Sequence, residues 1–267
     1  MRKYGYLVVE GPHDVEFAYR LLSPLGVKRI KYKKDLDKFF YDLIPGSYPL
    51  EDDDIQKRIP IPVFLQNETH AIAIHSSTGD SQLVDWMEEN IAILGLNDIA
   101  GLGILLDADS EISANQRYAE ITQELAKKLP MIKPLAIGKI KQGQPNFGVF
   151  VLPDNSSVGT LENLLLESAE VVYPDLLKLA RDYVGEAKEK AGLKPSDLRE
   201  LKNAGTNKAI IGSMATIMKP GKSVQVSIQD NRWLREPTTL SLPRIKAVQE
   251  FLQILFELPV ESTQQLN

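Results

Sequence analysis

An apolar run that stops at a lone glutamate, YGYLVVEGPHD from Tyr4 to Asp14, constrains this chain more than any other stretch. Glu10-Gly11-Pro12 closes the run, and an amphipathic segment follows from Asp14 to Leu22 with Phe17, Leu21 and Leu22 on its inner face. Strand, tight turn and helix in that order belong to an α/β domain, which binds its ligands at the carboxyl edge of parallel strands. A second apolar run, Gly101–Leu106, ends in Asp107-Ala108-Asp109-Ser110-Glu111. Residues two apart in an extended chain point to the same side, so Asp107 and Asp109 make a two-pronged ligand. If the sheet sets the two strand ends side by side, three carboxylates gather. Such an oxygen cluster suits Mg²⁺, with Mn²⁺ as the alternative.

The rest of the composition narrows the classes. With 43% hydrophobic residues in 267, the chain can fill an ordinary core, and no apolar run approaches a membrane span. The start, MRKYGYLVVEG, reads as a strand entering charged loops, so the expected location is the cytoplasm. Cysteine is absent, which excludes thiolate zinc sites and disulfides. His13, His70 and His75 show no zinc spacing; His13 is a loop residue near the site, the other two hairpin surface or core. A net charge of −5 excludes a generally basic nucleic-acid coat, so a polyanion must be met locally. Three stretches are locally basic: Lys28–Lys38, Lys127–Lys141 and Lys202–Arg235.

Taken in order, strand–helix alternation fills the first part. Val27–Tyr32 is a short strand, Asp35–Leu43 has helical spacing, and residues 44–62, with the run EDDD, form an acid- and proline-rich surface insertion. Ile61–Leu65 and Ala71–His75 are a hairpin or successive strands, followed by a helix over Ser81–Leu94. After Gly101–Leu106 come a helix over Ala114–Leu129 and strands at Pro134–Ile140 and Phe147–Leu152. Beyond residue 155 the pattern turns helical: Gly159–Ser168, Val172–Leu193, Pro195–Leu201, Ala204–Met218 and Leu242–Leu258, with Gly221–Trp233 a polar loop. The expected organisation is an α/β domain over 1–155, with an insertion at about 44–69, and a mainly helical part over 156–267 packed on it. The stripe Ile245–Leu258 packs back on the sheet or, as the alternative, forms a homodimer surface.

VVEGPHDVEF followed by LLDADSE resembles the Toprim domain, the metal-dependent fold shared by topoisomerases, DnaG-type primases and nucleases of the overcoming-lysogenization-defect class. Glu10-Gly11 and Asp107-x-Asp109 match its two motifs in order and setting, over roughly residues 1–150. The chain looks most similar to a small stand-alone group related to those nucleases. The resemblance implies a mostly parallel sheet flanked by helices and a Mg²⁺-dependent phosphoryl transfer in which Asp107 and Asp109 hold the ion. Glu10 would share the metal or act as general acid/base. In that nuclease class, further acids and a lysine complete the site, and Asp14, Glu162 and Lys208 are the candidates here. Asp14 is equally a helix cap, Glu162 sits where the helix dipole favours an acid anyway, and Lys208 also reads as a surface lysine. Gly11, without a side chain, would let a phosphate or ion approach the strand end. The function expected is hydrolysis of nucleic-acid phosphodiesters, DNA ahead of RNA. The alternative is a non-catalytic binding module that works with nucleic acid or through a protein partner.

Overall fold

The computed structural model describes residues 2–46, 61–77, 82–202, 204–235 and 237–259. Strand β1 (Lys3–Val9) is buried from Gly5 to Val9, on both faces, as a near-continuous apolar run requires. It pairs in parallel with β4 (His70–Ser76) through Val8↔His75 and with β5 (Gly101–Asp107) through Val9↔Leu105. Around these lie β2 (Lys28–Arg29), β3 (Val63–Gln66), β6 (Ile140–Lys141) and β7 (Asn146–Leu152), giving the order β2-β3-β4-β1-β5-β7-β6. The sheet is parallel through its centre, while the β2–β3, β3–β4 and β6–β7 pairs are antiparallel. Helices α1 (Pro12–Leu22), α2 (Leu83–Leu94) and α3 (Ala114–Lys128) lie between strands in the chain. The chain thus adopts the expected α/β fold, a central sheet flanked by helices with further helices toward its C-terminus.

Two compact units divide the chain discontinuously. The first comprises Met1–Leu106, Ala119–Phe150 and Glu250–Asn267; the second comprises Asp107–Tyr118 and Val151–Gln249. Within the first unit the sheet offers a bed of glycines: Gly5 on β1, Gly101 and Gly103 on β5, and Gly148 on β7. The end of α9 (Pro243–Leu255) fills it. A Cβ at Gly5 would come within 2.5 Å of the Phe256 ring, one at Gly103 within 2.5 Å of Leu255, and one at Gly148 within 2.8 Å of Phe251. At Gly101 the added atom would meet the backbone carbonyl of Leu255. Phe251 also contacts Phe150 at 5.3 Å between ring centres. Replacing those four glycines by any larger residue would lift the helix end off the sheet.

The second unit contains α4 (Leu161–Val172), α5 (Pro174–Lys190), α6 (Pro195–Glu200), α7 (Ala204–Met218) and α8 (Val224–Asp230). Leu177, Ala180 and Val184 line the buried face of α5, which packs against α7 with its buried Ile210, Ile211 and Met214. Among the described residues no helix is long and apolar enough to cross a membrane.

Several local expectations differ from the structure. Asp35–Leu43 is not an α-helix but two 3₁₀ segments, Lys33–Asp35 and Lys38–Leu43, because Asp37 interrupts it as a cap whose Oδ1 accepts the Phe39 N–H at 3.0 Å. The strand over Pro134–Ile140 shrinks to Ile140–Lys141. The helix over Val172–Leu193 starts at Pro174, whose ring suits a first helical turn. Gly221–Trp233 is not a polar loop: α8 lies within it, and Trp233 is fully buried with its indole N–H donated to Ser227 Oγ at 2.9 Å. β3 and β4 form a true hairpin, turned by Asn67, whose Oδ1 accepts the N–H groups of Thr69 and His70. Of the acid-rich insertion, residues 47–60 lie outside the described residues, as do residues 78–81.

Candidate functional site

In the first unit, β1 delivers Glu10 as the residue after its last strand position, half-buried. Ser77, fully buried after β4, fastens that strand end: its N–H donates to Val9 O at 2.9 Å, and its hydroxyl donates to the carbonyls of Val9 and Glu10 at 3.2 and 3.3 Å. Gly11 then caps α1 in an extended conformation, φ −141°, that any residue can adopt. A Cβ there would meet only Asp14 Oδ2, at 3.3 Å, so open space rather than backbone conformation is what the glycine provides. The helix begins at Pro12, two residues earlier than expected, which makes Asp14 its third residue rather than its opener. The Asp14 carboxylate accepts the Gly11 N–H at 2.9 Å and is buried, so its capping role is filled. His13 lies in the first turn of the same helix.

A buried polar pair on β1 and β4 has no motif to announce it. Tyr6 Oη and His75 Nδ1 are 2.9 Å apart, both side chains are buried, and Trp86 of α2 lies over the imidazole with ring centres 4.6 Å apart. Burial holds His75 down to about 4 and pushes the Tyr6 phenol well up, so both groups are neutral around pH 7. Among the described residues, the buried His75 Nε2 has no hydrogen-bond partner. His70 and His75 are thus both core residues.

The second unit begins with the acids of the DxD. Asp107 Oδ1 accepts the Leu161 N–H at 2.8 Å, at the first turn of α4, where the helix dipole favours negative charge. Asp109 and Gly159 form an antiparallel bridge, exchanging N–H···O bonds of 3.0 and 2.7 Å. Asp109 is held at φ 79°, a left-handed conformation that aspartate tolerates better than most residues, and its carboxylate accepts from the backbone N–H of Ser110. Gly159 at φ 139° is a position where glycine is required: a Cβ would also lie 2.8 Å from Asn163 Oδ1. That Asn163 oxygen accepts the Thr160 N–H at 2.9 Å, closing the cap of α4. Glu162 is 4% exposed and accepts a hydrogen bond from the Thr160 hydroxyl at 2.7 Å. Hydrogen bonds therefore bring Asp107, Asp109 and the Gly159–Glu162 segment into one arrangement. Lys208 is exposed on α7, and among the described contacts none ties it to those residues.

One anchor near this arrangement has no motif to announce it. Asp154 follows β7, and although burial raises its pKa, hydrogen bonds from Ser156 and Ser157 pull it down to about 2. Arg244 joins its Oδ2 at 2.9 Å and Glu167 at 2.7 Å. Among the described residues, no three His, Asp or Glu side chains converge as a ligand set. As placed, the Asp107 and Asp109 carboxylates accept backbone N–H groups.

A family model described as a protein of unknown function, DUF3226, matches residues 4–257. The chain belongs to the DUF3226 family. That match takes in both motifs and every helix of the second unit. Among solved structures, it is similar to a hypothetical protein, PH0156, from Pyrococcus horikoshii OT3, at 15% identity and a TM-score of 0.50, with 96% of this chain and 95% of that one covered. At that identity the likeness concerns the fold alone. No curated protein sequence matches.

Proposed function

We propose that this DUF3226 chain is a Mg²⁺-dependent phosphodiester hydrolase of the Toprim type that acts on nucleic acid, DNA ahead of RNA. One observation carries the reading. β1 and β5 are parallel neighbours through Val9↔Leu105, so the strand that leads into Glu10 and the strand that ends at Asp107 run toward the same edge of the sheet. That carboxyl edge is where α/β sheets assemble their sites. The donor chemistry fits the ion: Glu10, Asp107, Asp109 and Glu162 offer carboxylate oxygens only, the ligands a hard divalent cation takes.

In this reading Asp107 and Asp109 would hold Mg²⁺, and Glu10 and Glu162 are the further candidate ligands. Bound there, the ion would supply Lewis-acid polarisation of a phosphate oxygen and a more acidic water. Glu10 takes the proton of the attacking water or returns one to the leaving oxygen. The Leu161 N–H, donated to Oδ1 at 2.8 Å, fixes the direction of the Asp107 carboxylate. Lys208 would offset phosphate charge.

Purified protein given plasmid, single-stranded DNA and RNA with Mg²⁺ or Mn²⁺ tests the reading. Metal-dependent cleavage should be abolished by Asp107→Asn and reduced about 10²–10⁴-fold by Glu10→Gln. Cleavage by D107N at the parent rate, or no cleavage of any substrate, would overturn it. Binding without cleavage would favour the non-catalytic module.

A further inference from the structure

We propose that the segment from Lys28 to Lys38 is a docking surface for single-stranded nucleic acid, with Tyr32 as its base-stacking platform. For its class of ligand this inference rests on the preceding reading. The segment carries Lys28, Arg29, Lys31, Lys33, Lys34 and Lys38 against Asp35 and Asp37 in a chain of net charge −5. Two of the neighbouring acids are already engaged. Asp37 takes Arg2 at 2.7 Å, and both oxygens of Glu16 take Arg29 at 2.8 Å. Among the described residues no carboxylate ion-pairs with Lys28, Lys31, Lys33, Lys34 or Lys38. Each of these lysines is exposed.

An aromatic ring lies in the middle of that charge. Tyr32 is 55% exposed, with the ammonium groups of Lys31 and Lys34 each 5.7 Å from its ring centre, and Lys33 lies 5.5 Å from the ring of Tyr41. Exposed rings are normally an isolated cost, but the lysines over this half-exposed ring are mobile side chains: when their ammonium groups swing onto the phosphates of a strand, the ring is left for a base to stack on. The segment is also held in shape. Gln66 Nε2 donates to the Asp35 carbonyl at 2.7 Å, the Asp37 N–H donates to Gln66 Oε1 at 3.2 Å, and Phe39 stacks on Tyr4 at 3.9 Å. Only a base splayed out of a helix can reach the face of Tyr32. A duplex, whose bases are stacked on one another, would engage the lysines alone. The surface therefore selects single strands.

Binding of a labelled 20-nucleotide oligo(dT) and of a matched duplex, measured by anisotropy in EDTA across a salt series, separates the alternatives. The single strand should bind more tightly. Tyr32→Ala should weaken it about 5- to 150-fold while leaving the duplex unchanged, and Tyr32→Phe should bind like the parent. Replacing Lys31, Lys33 and Lys34 together by Ala should flatten the slope of log K against log salt by about 2, at roughly 0.7 per phosphate contact. Single-strand binding by Y32A equal to the parent's, or equal losses on single strand and duplex, would overturn the proposal. Tyr32-dependent binding without metal-dependent cleavage would remove the hydrolase reading and keep this surface; cleavage with Tyr32-independent binding would do the reverse.

Discussion

Removing the Asp107 side chain should cost stability as well as activity, and the two losses can be separated. In Asp107→Ala the Leu161 N–H at the start of α4 loses an acceptor 2.8 Å away that belongs to an ionised carboxylate. A hydrogen bond to a charged group contributes about 1.5–3 kcal/mol, and losing a helix-end acceptor typically costs about 1. Both figures describe the one interaction, so about 1.5–3 kcal/mol should disappear. For a chain of this size, that is a fall in Tm of about 3–10 °C. Asp107→Asn keeps an oxygen at the same place and loses only the charge, so its Tm should fall by less than about 3 °C. Both variants should lack metal-dependent cleavage. Differential scanning calorimetry in EDTA removes any metal contribution. If D107A melts with the parent, the Asp107–Leu161 bond contributes nothing; if D107N falls as far as D107A, the charge rather than the acceptor is what the helix end needs.

Other perturbations test other parts of the structure. Gly101→Ala sets a methyl against the Leu255 carbonyl and should cost about 1–3 kcal/mol in urea unfolding, whereas Gly185→Ala, with nothing within 4 Å, should be neutral or better. His75, held down to about 4 by burial against an unfolded value near 6.5, binds fewer protons when folded; its stability contribution is complete above pH 6.5 and is lost as the pH falls toward 4. The full loss is about 3 kcal/mol, and His75→Leu should flatten that acid-side slope whatever it does to stability at pH 7. Asp109→Gly should melt at or above the parent because φ 79° suits glycine, while Asp109→Ala should lose about 1 kcal/mol.

What could be read from the chain alone follows from how local each signal is. Glu10 at a strand end and Asp107 closing the next central strand were legible because an apolar run that ends in an acid needs no distant partner to be recognised. The adjacency of those strands required topology, and the order β4-β1-β5 supplies it. Asp14 was placed one way by motif and another by the true helix start at Pro12, since a proline opens a helix more readily than the acid two residues later. Ser77, the Tyr6–His75 pair and the Asp154–Arg244–Glu167 anchor stayed invisible because each joins residues far apart in the chain. Gly221–Trp233 misled in the opposite direction: its polar composition hid a tryptophan that the fold buries completely.

The glycine bed under the end of α9 also sets a timetable for the ribosome. Gly5 is made some 250 positions before Phe251, Leu255 and Phe256. Until those residues emerge, the glycine positions of the central strands stay uncovered. Contacts so distant in sequence form late, and a sheet exposed in the meantime is prone to stick to others. Synthesis stalled before residue 250 should therefore yield chains that depend on chaperones, and the nascent protein becomes self-sufficient only as α9 is completed.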